Sequence, residues 1–92
     1  MKPVRDCISE GADHVLRISF RDGDVLDLTS FSEVCAQDAP AGQTWTAEVI
    51  NAVSVSDEKR RFFPPGSGMD FLERDVFEIR DMTLDAVVYR SS

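Results

Sequence analysis

Residues 20–28 read FRDGDVLDL, and the fold turns on how this stretch is taken. Asp22-Gly23 separates two runs that alternate apolar and polar residues. On its N-terminal side, Leu16, Ile18 and Phe20 share one face and Val15, Arg17 and Ser19 the other. On its C-terminal side, Leu26 and Leu28 share a face. A period of two marks a half-buried strand. Asp-Gly between two such runs marks a hairpin, because glycine accepts the positive φ that a tight turn demands. Residues 14–28 are therefore expected to form an antiparallel hairpin. The three acids Asp22, Asp24 and Asp27 pose a separate question. A calcium loop presents oxygens at alternate positions and closes with a bidentate Glu. Val25 and Leu26 interrupt that spacing, and the first following Glu is Glu33, so a calcium loop is excluded.

Outward from the hairpin, Val4–Ile8 alternates briefly and suggests a first strand. Thr29 or Ser30 is placed to cap a short helix through Ala36, with Glu33 as capping-box partner. Residues 37–43 read as loop. From Trp45 to Val55 every odd position except Asn51 is apolar, which predicts one long strand bent near Asn51. Residues 56–59 read as a turn, and Arg60–Phe63 as a strand pairing back. Pro64-Pro65-Gly66-Ser67-Gly68 breaks regular structure. Asp70 is placed to cap a helix through Ile79, with Glu73 three residues on. Thr83–Tyr89 fits a last strand or a terminal helix, and its β-branched run favours the strand. The sum is one α+β domain over residues 1–92: a small, mainly antiparallel sheet of about five strands with one or two short helices.

Two stretches carry a family resemblance. LRISFRDGDVLDL (16–28) and VSVSDEKRRFFPPGSGMDFLERDVF (53–77) resemble the small bacterial family catalogued as domain of unknown function 2442. The shared marks are an apolar alternation into Phe-x-Asp-Gly, an aromatic-Pro step at Phe63-Pro64, and Gly68-Met69-Asp70 as a Gly-x-Asp. The resemblance covers residues 14–79. Here Phe63 stands where that family usually has Trp, Pro65-Gly66-Ser67 is a longer insertion, and residues 81–92 run past the usual end. The resemblance implies a compact α+β domain and no particular activity.

The chain has 92 residues, 17 acids against 10 bases and a net charge of −7. Such a chain repels phosphate backbones, so direct nucleic-acid binding is not expected. No apolar run reaches the ~20 residues needed to span a bilayer. The N-terminal residues lack a signal-peptide core, and two cysteines, Cys7 and Cys35, make neither a disulfide framework nor a metal quartet. A cytoplasmic protein with free thiols is expected, without membrane partner, cofactor or metal.

Catalysis finds no ready constellation. His14, the single histidine, is expected at an exposed strand end, and no Ser or Cys has nucleophile-elbow spacing. Carboxylate pairs are inevitable among so many acids, so pairing alone argues nothing. The glycines at 66 and 68 lack the Lys of a phosphate-cradling loop and lead into acids. Lys59-Arg60-Arg61 fits a solvated edge that discourages sheet-to-sheet aggregation. What remains is an acidic face: Asp22 and Asp24 at a hairpin tip, with Asp70, Glu73, Glu78 and Asp81 in the C-terminal third. The expectation is a non-enzymatic, protein-binding module. It would inhibit a partner by docking on a basic, nucleic-acid-binding surface, as a phage counter-defence (anti-CRISPR-like) protein would. The rival expectation is an accessory, antitoxin-like or homodimerising domain of a small bacterial operon, whose acidity serves only solubility.

Overall fold

The computed structural model describes residues 2–34 and 44–91. Its elements are α1 (Val4–Glu10), β1 (Leu16–Phe20), β2 (Val25–Glu33), β3 (Thr44–Ser54), α2 (Asp57–Arg60), β4 (Gly68–Leu72), a 3-10 turn (Glu73–Asp75), β5 (Val76–Asp81) and β6 (Ala86–Arg90). The strands form one antiparallel sheet in the order β4-β3-β2-β1-β5-β6. This is the expected α+β architecture, with six strands instead of about five.

The hairpin forms as its sequence demands. Leu16 pairs with Leu28, Ile18 with Leu26 and Ser19 with Val25. Gly23 takes φ +99°, and its N–H closes the turn onto the Phe20 carbonyl at 3.0 Å. Strand β3 also forms where the alternation placed it. Its register against β2 shifts at three points, and at two of them Ile50 and Val53 are extra residues on either side of Asn51. Such a slip reverses which side chains face the core. Val53, apolar and in phase on paper, is consequently exposed, while Ala52 packs against the core.

Four segments differ from expectation, each for a physical reason. Val4–Ile8 is helical: Val4, Cys7 and Ile8 lie at helical spacing and are the buried residues of α1, and Pro3 suits a helix entry. Ser30 caps no helix. It sits inside β2 with φ +56°, where four β2 residues (29–32) lie opposite three of β3 (46–48), a bulge that bends the strand. The end of that expected helix, with Cys35 and the loop 37–43, lies outside the described residues. Asp57–Arg60 is a helical turn followed by a further turn, and Arg60–Phe63 makes no strand. Pro64 and Pro65 supply no N–H groups, so the segment is a poor ladder partner. Finally, Asp70–Ile79 is β4, a 3-10 turn and β5. Met69 and Phe71 of β4 pair with Ala47 and Trp45, satisfying the outer edge of the long β3 that a helix would have left open.

The sheet is strongly curled. Across a flat sheet β1 and β4 would stand three strand spacings apart, roughly 14 Å. Yet the rings of Phe20 on β1 and Phe71 on β4 are 5.5 Å apart and edge-on. The 3-10 turn then carries the chain from β4 across to β5, where the Arg21 N–H bonds the Asp75 carbonyl at 2.9 Å. Leu16, Ile18, Leu26, Leu28, Val49, Val76 and Ile79 fill the concave side with almost no exposure, and Ile8 of α1 joins them.

Candidate functional site

The β1–β2 turn carries the first two candidate acids. The Asp22 carboxylate accepts the Asp24 backbone N–H at 3.0 Å. That bond, opposed by burial and assisted by Lys59, holds the Asp22 carboxyl below the usual carboxylate range. The Lys59 Nζ reaches back from α2 to Asp24 Oδ2 at 3.0 Å and Asp22 Oδ2 at 3.2 Å. Asp27, third acid of the stretch, is differently placed. It is buried and takes Arg17 from β1 in a two-pronged pair at 2.8 and 3.1 Å.

The curl of the sheet places an open groove beside this turn. Its volume is about 700 Å³. The apolar wall comes from Phe20 and Leu26 of the hairpin, Met69 and Phe71 of β4, and Phe62 and Phe63 after α2. Asp22, Asp24, Asp70 and Asp75 stand around it, with Lys59 and Arg21. Four carboxylates against two cations leave the mouth negative. Arg21 is turned toward the Arg74 carbonyl at 2.8 Å and the Ser91 hydroxyl at 2.5 Å. Asp70 is exposed on β4 and makes no ion pair among the described residues. Phe62 is 61% exposed, an unusual solvation of a large aromatic, and carries the Arg61 guanidinium 4.9 Å above its ring.

Asp22, Asp24 and Asp70 are thus brought to one groove, and Asp75 joins them. The other three candidates lie elsewhere. Glu73 sits beside Trp45 and Arg5, and burial pushes its carboxyl up against the pull of both. The Trp45 indole N–H is buried and meets no acceptor in hydrogen-bonding geometry among the described residues, although it lies near enough to Glu73 to favour the charged carboxylate. Glu78 is paired on its cross-strand neighbour Arg90 at 2.8 Å. Asp81 is 3% exposed. It takes His14 Nδ1 at 2.7 Å on one oxygen and the Thr83 and Leu84 N–H groups at 2.9 and 3.0 Å on the other. Burial opposes its ionisation, but these donors outweigh burial and hold its carboxyl below the ordinary range.

His14 is therefore a half-buried clamp between the α1–β1 connection and the β5–β6 turn, not a free strand end. The Cys7 thiol is buried and donates to the Val88 carbonyl at 3.3 Å; burial raises its pKa, which makes it a poor nucleophile. No set of three His, Cys, Asp or Glu side chains among the described residues could hold a metal ion. No helix there is long and apolar enough to cross a membrane.

Sequence patterning missed Asp75, the aromatic wall and the role of Lys59. The only signal for Lys59 was its place in a basic run next to Phe62-Phe63, and nothing local says that this run folds back on the hairpin 35 residues away. Comparison of the chain with protein-family models, with curated proteins and with solved structures finds no match.

Proposed function

We propose that this protein is a non-enzymatic binding module that docks its acid-rimmed aromatic groove on a basic surface of a partner protein. The observation that carries this reading is the meeting of Asp22, Asp24, Asp70 and Asp75 around one apolar groove. A cleft lined by one sign of charge raises the encounter rate with an oppositely charged surface, and apolar walls hold what arrives. A surface built to bind nucleic acid offers that charge, so the partner's nucleic-acid site is the expected target and its inhibition the expected result. The resemblance of residues 14–79 to the family of unknown function 2442 favours a setting in a bacterial operon, in an accessory or antitoxin-like role.

Affinity capture tests the proposal. Wild-type protein should retain a basic partner at about 0.05 M salt and lose it near 0.5 M, because exposed charges are screened over a few ångströms there. The Asp22→Lys, Asp24→Lys double variant should fail to retain it at either salt. A partner held equally by the double variant would refute the docking surface.

A second reading, an oligomerising domain, is favoured by the two ends of the sheet. Strands β4 and β6 each have one strand neighbour, and exposed edges can pair across a two-fold axis. Light scattering after size exclusion separates the two: a concentration-independent dimer with no captured partner supports this reading over the first.

A further inference from the structure

Lys59 already occupies the groove as a ligand would. It is a residue of α2, a four-residue helical turn with no buried side chain. Packing therefore does little to fix its place. Its ammonium nevertheless lies between Asp22 and Asp24, at 3.2 and 3.0 Å. Three and four residues on, Phe62 and Phe63 line the same groove, so a cation and nearby aromatics enter together. The outer part remains open: Phe62 is largely solvated, and Asp70 and Asp75 face the mouth without Lys59.

We propose that the groove takes an exposed peptide segment of a partner in which a Lys or Arg neighbours an apolar side chain, and that its cation displaces Lys59 from Asp22 and Asp24. This deepens the proposed function and rests on it. The occupant follows from charge and shape. A cation alone would satisfy the carboxylates and leave the largely exposed Phe62 ring, and the open part of the apolar wall, in water. An apolar segment alone would leave the acidic mouth unmatched. A segment offering both covers both, as the 59–63 stretch does from within. Lys59 is then an internal competitor: it neutralises the turn when the groove is empty and lowers apparent affinity by the fraction of time it stays bound.

The probe is the blocked peptide acetyl-Phe-Lys-Leu-Arg-amide, titrated into 15N-labelled protein at low salt. Amide shifts should move at Gly23, Asp24, Lys59 and Phe71. Lys59→Met keeps most of the apolar stem, removes the competing charge and removes no buried contact. It should bind the probe about three- to fivefold more tightly, the scale of an exposed ion pair. Lys2→Met makes the same change in net charge but lies on the Glu10 side of α1, so it should stay within about twofold of wild type. Asp22→Asn with Asp24→Asn should abolish the shifts. Spermidine, a cation without apolar side chains, should bind more weakly than the peptide.

Lys59→Met no tighter than Lys2→Met would overturn the displacement. Shifts confined to residues outside the groove, or spermidine binding as well as the peptide, would overturn the choice of ligand. In each of these cases a partner still lost on Asp22→Lys, Asp24→Lys capture leaves the broader docking proposal standing, so the two fail separately.

Discussion

Gly23 and Asp81 show how single residues hold this fold. Gly23 takes φ +99°, and a β-carbon there would meet nothing within 4 Å. The cost of Gly23→Ala is therefore backbone strain alone, about 1–2 kcal/mol, read as a lower urea midpoint with unchanged slope. Asp81 is a heavier case. Asp81→Ala strands the Thr83 and Leu84 N–H groups and leaves His14 without its partner, at a cost of about 2–4 kcal/mol. The carboxyls of Asp81 and Asp22 are depressed in the folded protein. Their contribution is present above the unfolded carboxylate pKa, near ~3.9, and is lost as pH falls through the lower folded values. Urea midpoints at about pH 7 and pH 3 should converge in Asp81→Asn relative to wild type. A midpoint difference as large as wild type's would remove Asp81 from the acid response.

At the scale of elements, the legible parts were those whose pattern was decided locally. The hairpin 16–28 carried its own turn chemistry, and the 44–54 strand carried four apolar residues at odd positions, so both were readable. Residues 4–8 were not, because Val4, Cys7 and Ile8 fit a period of 3.6 as well as a short strand. Ser30 and Asp70 each stood three residues before a Glu, yet both lie in strands, because pairing with β3 outweighs a one-turn capping preference. A left-handed Ser30 makes a distinct prediction. Ser30→Gly should be neutral or stabilising by up to ~1 kcal/mol, whereas Ser30→Ala should destabilise. Equal stability of the two variants would argue against the bulge. Leu28, fully buried in β2, should cost about 2–5 kcal/mol as Leu28→Ala.

At the scale of the molecule, half of the candidate acids met and half did not. Asp22, Asp24 and Asp70 share the groove, but Glu73 lies beside Trp45 and Arg5, Glu78 is paired with Arg90 and Asp81 with His14. Charge counting along the chain cannot separate these sets, since the curl that brings β4 over β1 is encoded in bulges and not in local charge. The central claim is that acids matter by position and not by total. Partner affinity of two double variants tests it most directly, each removing two negative charges. Asp22→Asn with Asp70→Asn, on the groove, should weaken binding about tenfold. Asp13→Asn with Glu48→Gln, at exposed positions that do not line the groove, should change it by less than about twofold. Equal losses in the two variants would contradict the account and return the acidity to solubility alone.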